Sequence, residues 1–305
     1  MKKVKITILG HQNPDIDSIV SGLLVEYFIN NYTSYQGEFV IPDGNLDKST
    51  KTICQKYNIP YQAHQKEMPK DSEALILVDH HEREIEGKKI VAIFDHHPTT
   101  KEITAPIYIN KKISSTTTLL TKGNEEYFPK ELIELAILAA YVDTASFNST
   151  KARLEDKEWV ETLTKKLGFN QVKLYETGLA LTDLSNLKEA AFECLKKYKI
   201  ANKNVEVSAI QINDIDCCQK ELAKIKEIII DYFIKNNLDV YILIIHDMNK
   251  MQSTAYKIFK DGIEIDQYDK YTSRGNVIIP KLETEINNHN FSSNLVKEKK
   301  KTINE

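Results

Sequence analysis

The first half of the chain alternates two hydrophobic periods. Short apolar runs bounded by turns, "VKITILG", "EFVIP", "EALILVDHHE" and "KKIVAIFDHHP", predict strands, and the 3.6-period segments "SIVSGLLVEYFINN" and "DKSTKTICQKY" predict helices between the first three. Near-continuous apolar strands alternating with helices are the pattern of a parallel sheet buried on both faces, so helices are expected on both faces. After "APIYI" come three more helical patterns: "SSTTTLLTK", capped by serines, "PKELIELAILAAYVDT", opening on Pro129, and "ARLEDKEWVETLTKKLG", closed by Gly168. The second is apolar almost all round, which predicts that it packs under the sheet.

A second set begins beyond "TGLALTDLSNLKEA": a helix to Lys199, the strand "VEVSAIQI", a helix through "QKELAKIKEIIIDYFIKNN", the strand "DVYILIIHD", then "STAYKIFK" and "SRGNVIIPKL". The expected domains are residues 1–183 and 188–305, and the tail "KEKKKTINE" reads as a solvated end.

Composition narrows the class. At 305 residues, 41% hydrophobic and 28% charged, the chain has the profile of a soluble globular protein. Its 41 basic and 44 acidic side chains leave a formal net charge of -3, so neither nucleic acid nor an anionic membrane surface is an expected partner. The first apolar run is broken by Lys5 and Thr7 and is too short for a signal peptide or a membrane span. Cys54, Cys194, Cys217 and Cys218 show neither a disulfide framework nor CxxC spacing, which predicts a reducing, cytoplasmic setting.

Chemistry gathers at the predicted strand ends, where ligands bind in open parallel sheets. "GHQNPDIDS" places His11, Asp15 and Asp17 after the first strand; Asp79, His80 and His81 follow another; Asp95, His96 and His97 a third; and the apolar helix ends in Asp143. Each group has a plain alternative. Asp15 and Asp17 suit the N-cap and first turn of the next helix. One of His80 and His81 reads as a surface histidine. Asp143, however, opposes its helix dipole and calls for a compensating charge. Carboxylate and imidazole together suit hard or borderline divalent ions such as Mn2+, four aspartates balance two of them, and the absence of cysteine argues against structural zinc.

In these residues the chain resembles the DHH phosphoesterases, and within them the manganese-dependent, family II inorganic pyrophosphatases. "GHQNPDIDS", "LVDHHE" (where the family usually has Asn at the place of His81), "FDHH" and "YVDT" correspond to its four ordered motifs. The likeness extends over "INKKISSTTTLL" and "SRGNVIIPKL". It implies a DHH metal-binding domain followed by a smaller α/β domain of DHHA2 type, with the active site in the cleft between them. It also implies that His11 and Asp15 hold one metal, that Asp17, His96 and Asp143 hold the other, and that Asp79 bridges them. His97 would face the substrate phosphate, Asp95 would support the histidines from behind, and Lys196 and Arg274 would bring cationic charge to the phosphates. The implied cofactors are two Mn2+ ions, replaceable by Co2+ or Mg2+, with a further Mg2+ entering with substrate. The implied state is a homodimer acting on a small phosphate substrate.

The expected reaction is hydrolysis of inorganic pyrophosphate by a water activated between two metals. Besides His81, the chain departs from the family beside its arginine: Gly275 follows Arg274 where a lysine is usual, with Lys197, Lys270 and Lys281 as nearby replacements. A related phosphoesterase acting on polyphosphate or another small phosphate compound, or a weakly active phosphate-binding regulator, is the alternative this departure raises. No GxxxxGK[ST] loop occurs, so a nucleotide motor is not indicated.

Overall fold

The computed structural model describes residues 3–42, 46, 48–72, 74–81, 87–99, 104–179 and 181–287. It divides into two compact units, Met1–Leu179 and Ala180–Glu305. The first contains β1 (Lys5–Leu9), α1 (Ile16–Tyr32), β2 (Gln36–Val40), α2 (Lys48–Lys56), β3 (Ala74–Val78), β4 (Lys89–Asp95), β5 (Ile107–Asn110), α3 (Thr116–Thr121), α4 (Lys130–Asp143), α5 (Leu154–Leu167) and α6 (Gln171–Gly178). Its five strands lie in the order β2-β1-β3-β4-β5, all parallel. The chain runs from β1 to one side and then returns to continue on the other. That reversal opens a crevice beyond the carboxyl ends of β1 and β3.

One face of this sheet, with Ile6, Ile8, Ile76 and Val78, shares a core with α1 and α4. Both helices are apolar on most sides because both are enclosed: Ile16, Ile19, Val20 and Leu24 in α1 and Ile137–Ala140 in α4 are at most 1% exposed. The other face, with Leu9, Leu75, Leu77 and Ile93, packs Met68 and Ala105 from connecting segments. Gly10 sits where β1 hands over to α1, and a Cβ there would lie 2.2 Å from Ser18 Oγ. The same hydroxyl accepts from the His11 N–H at 3.2 Å, which fixes the strand end against the helix.

The second unit contains α7 (Leu187–Ala191), β6 (Lys196–Ile200), β7 (Lys203–Ile212), α8 (Gln219–Lys235), β8 (Val240–Asp247), β9 (Gln252–Phe259), β10 (Gly262–Tyr268) and, after a π-helical turn at Arg274–Ile278, α9 (Ile279–Asn287). The sheet runs β10-β9-β8-β7-β6, and only β7 and β8 are parallel. Leu222, Ile225 and Ile229 of α8 cover one face and Ile279, Leu282 and Ile286 of α9 the other. The segment up to Lys199 is not one helix. α7 stops at Ala191, Cys194 takes a positive φ of 51°, and the chain re-enters as β6 in register with β7, Lys196 opposite Val207. No helix among the described residues is long and apolar enough to cross a membrane.

Candidate metal centre

The four acid- and imidazole-bearing segments converge in the first unit. Asp15 is the N-cap of α1, its Oδ1 accepting from the Ser18 N–H at 3.1 Å, while Oδ2 lies 3.4 Å from His11 Nε2. One carboxylate therefore caps the helix and still offers an oxygen to the site. Asp17, in the first turn of α1, is 1% exposed and serves a different helix. It accepts from the Thr116 N–H at 2.7 Å, the Thr117 N–H at 2.9 Å and the Thr117 hydroxyl at 2.7 Å, all at the start of α3.

Asp79 follows β3 with a positive φ of 62°, a conformation uncommon outside glycine. Its Oδ2 lies 3.5 Å from His11 Nε2 and its Oδ1 3.4 Å from His96 Nε2. Oδ1 also accepts from the Thr116 hydroxyl at 3.0 Å. On the far side, His96 Nε2 stands 3.8 Å from Asp17 Oδ2 and 3.7 Å from Asp143 Oδ2. The six residues thus form two triads, His11/Asp15/Asp79 and Asp17/His96/Asp143, each with donor atoms within 4.8 Å of one another, and Asp79 has one oxygen toward each.

Asp95 stands behind this cluster, fully buried at the end of β4. Its Oδ1 accepts from the His96 N–H at 2.8 Å, the His97 N–H at 3.1 Å and His97 Nδ1 at 2.8 Å, and Oδ2 is hydrogen-bonded to His81 Nδ1. Burial works against its ionised form, yet His81 and His97 hold the Asp95 carboxyl far below the usual carboxylate range. Neither adjacent histidine is a surface residue: His81 is 8% exposed and held by Asp95, and half-buried His80 donates from Nδ1 to the Val78 carbonyl at 3.0 Å. His97 Nδ1 is also 3.7 Å from Asp79 Oδ1.

The electrostatics are those of a cation site. Burial, then the like charges of Asp79 and Asp143, push the Asp17 carboxyl well above its ordinary range. Burial disfavours a charged His96, but the Asp79 and Asp143 carboxylates outweigh it and push the imidazole up to about 9. His96 donates from Nδ1 to the Ile113 carbonyl at 3.2 Å, which leaves Nε2 as the atom that could coordinate a cation. Two buried atoms, His96 Nε2 and Asp143 Oδ2, face each other without a hydrogen bond. Donors bound to one ion at about 2.1 Å stand about 3.0 to 3.4 Å apart, close to the separations here, so the cluster fits divalent metal.

Two features were not legible from the sequence. The start of α3, with Ser115 as N-cap, supplies the N–H groups that orient Asp17. Lys151 pairs with Asp143 Oδ1. Beyond α4 the chain turns through Ala145, Ser146 and Phe147, with φ of 47°, 56° and 61° in succession, and this hook precedes the lysine. It is pinned by the Ser146 N–H to the Tyr141 carbonyl at 2.6 Å and by the Ser146 hydroxyl to the Tyr175 carbonyl at 2.7 Å. The helix ends at Asp143 and the chain turns before it reaches Lys151, so no helical or strand period marks the pair.

Lys196 and Arg274 belong to the second unit. Lys196 opens β6 opposite Val207, and the Arg274 guanidinium donates to the Cys194 carbonyl and, at 3.4 Å, to that of Val207. Both cations therefore lie at one end of the β6/β7 pair. Of the nearby replacements, Lys197 is 3.0 Å from Glu206 Oε1 and Lys281 is 2.9 Å from Asp266 Oδ2.

Residues 5–140 match the DHH family, N-terminal domain. The chain is 25% identical over 312 residues to the manganese-dependent inorganic pyrophosphatase of Methanocaldococcus jannaschii, across 92% of this chain and 99% of that one. It is 26% identical over 293 residues to the manganese-dependent inorganic pyrophosphatase of Bacillus subtilis, across 91% and 93%. A crystal structure from Methanococcus jannaschii, described as a candidate family II inorganic pyrophosphatase, shares the fold with a TM-score of 0.72 at 22% identity, over 92% of this chain and 99% of that one. The stretch that matches the DHH family, N-terminal domain, takes in five of the six clustered residues, and the chain is similar to manganese-dependent inorganic pyrophosphatases over most of its length.

Proposed function

We propose that the chain hydrolyses inorganic pyrophosphate to two phosphates and uses two manganese ions, one at His11, Asp15 and Asp79 and one at Asp17, His96 and Asp143. The observation that carries this reading is Asp79, whose two oxygens face two different imidazoles. Such a pair of ions supplies Lewis acidity toward phosphoryl oxygens and a water acidic enough to lose its proton near neutral pH.

The chain's own contribution is arrangement and charge. Four carboxylates balance two divalent ions, and the backbone donors of α3 hold Asp17 in one orientation. Asp95 fixes His97 through Nδ1, which leaves Nε2 to exchange a proton with a phosphate oxygen. Lys196 and Arg274 neutralise the transferring phosphoryl and its leaving group. Arg274 gives donors to two carbonyls, and a guanidinium has five, so others remain for phosphate.

One observation favours a second reading. Gly275 supplies no cation, and Lys197 and Lys281 are paired with acids, so neither of these two lysines is set to replace the usual charge beside pyrophosphate, which favours a related activity on polyphosphate or another small phosphate compound. Phosphate release from pyrophosphate, tripolyphosphate and pAp, measured with purified protein and Mn2+, separates the readings; pyrophosphate is expected to turn over fastest. Asp79→Ala is expected to abolish hydrolysis and weaken both metals, and near-normal turnover in that variant would sink the assignment.

A further inference from the structure

Asp143 keeps its two oxygens in different company. Oδ1 is paired with the Lys151 ammonium, while Oδ2 is buried, accepts no hydrogen bond and faces His96 Nε2 at 3.7 Å. Lys151 is not a solvated lysine passing by: its side chain is only 14% exposed, after a hook of three left-handed residues has turned the chain back beside the end of α4. The cluster of Asp17, His96 and Asp143 therefore contains a positive charge built into the chain itself.

The geometry points to Lys151 as the residue that sets the cation affinity of the Asp17/His96/Asp143 half-site, holding it below what those three ligands alone would give. The inference rests on the dinuclear reading above. An ammonium on one oxygen of a ligand carboxylate draws charge from the other and repels an incoming divalent ion, and in a buried site this repulsion is weakly screened. The same ion pair also orients the carboxylate, and loss of such an outer partner usually weakens metal binding. The two effects have opposite signs. Charge is expected to dominate, because repulsion between ammonium and metal scales with the double charge of the ion and falls slowly with distance, whereas orientation needs only one hydrogen bond.

Lys151→Gln tests this by keeping a donor for Asp143 while removing the charge. Mn2+ binding to the full chain would be measured by equilibrium dialysis and calorimetry, with Lys151→Arg as the charge-retaining control and Lys151→Met as a second neutral variant. In both neutral variants one Mn2+ is expected to bind about tenfold or more tightly, with the other changed less than about twofold and Lys151→Arg close to the parent. Unchanged or weaker binding in the neutral variants, while the parent still takes up two ions, overturns this inference and leaves the dinuclear reading standing. Failure of the parent to bind Mn2+ overturns that reading and this inference with it.

Discussion

At the scale of single residues, Asp95 binds no metal in the arrangement proposed, yet both of its oxygens are committed: to two backbone N–H groups and His97 on one side and to His81 on the other. Asp95→Asn keeps the volume but turns one of those acceptors into a donor. Outer partners of this kind are typically worth about 10 to 100-fold in metal affinity or activity. We expect a loss of turnover in that range, with the circular dichroism spectrum unchanged; steady-state kinetics against Mn2+ concentration would show it. Much of this centre was legible in the sequence because chemically distinctive residues recur at the same place, the ends of apolar strands. Asp15 was ambiguous for a physical reason: its two oxygens do two jobs, one as helix cap and one toward His11, so capping and ligation were both sound readings. Lys151 and the α3 donors were illegible because only tertiary structure brings them to Asp143 and Asp17.

Among the elements, β6 shows where local pattern yields to pairing. "LKEAAFECLKKYKI" is rich in helix formers, but a strand that can add to β7 gains a full ladder from Lys196 to Ile200, and this overrides a preference worth tenths of a kcal/mol per residue. Close packing is equally specific at α6. A Cβ on Gly178 would lie 2.5 Å from Ser146 Oγ and 2.6 Å from the Tyr141 carbonyl oxygen, and a backbone atom cannot rotate away. Gly178→Ala should destabilise the first unit by roughly 1 to 3 kcal/mol, read as a lower denaturation midpoint. The cap of α3 offers a smaller effect. Ser115 accepts from the Thr118 N–H at 3.1 Å, and Ser115→Ala should cost about 1 kcal/mol, measured in the same way.

For the molecule as a whole, stability should depend on acid and on metal. His246 is buried in β8, bonded through Nδ1 to the Ser253 hydroxyl at 2.8 Å and stacked on Tyr271 at 3.9 Å between ring centroids. Burial, reinforced by the Arg274 charge, pulls its pKa from 6.5 down to about 3. The unfolded chain therefore takes up a proton that the folded chain refuses. The contribution is fully present above pH 6.5 and is lost as pH falls toward 3, at about 1.4 kcal/mol per pH unit. Unfolding of the second unit, followed by urea titration between pH 7 and pH 4, should show this slope, and His246→Asn should flatten it. In the first unit, removing divalent metal with a chelator should lower the thermal midpoint and adding Mn2+ should restore it, by about 2.7 kcal/mol at a hundredfold excess over the dissociation constant.

The hook at Ala145, Ser146 and Phe147 gives that linkage a wider meaning. Non-glycine residues held at left-handed angles cost on the order of 1 to 3 kcal/mol each and persist only where their surroundings hold them there, and here they adjoin the acid that faces His96. A mutation that loosened the hook would weaken the fold and the cation site together, and a richer supply of the ion would offset the damage by about 1.4 kcal/mol for each tenfold rise in concentration. The abundance of folded protein in a cell would then follow metal nutrition, and variants harmless in a manganese-rich medium would be exposed in a poor one.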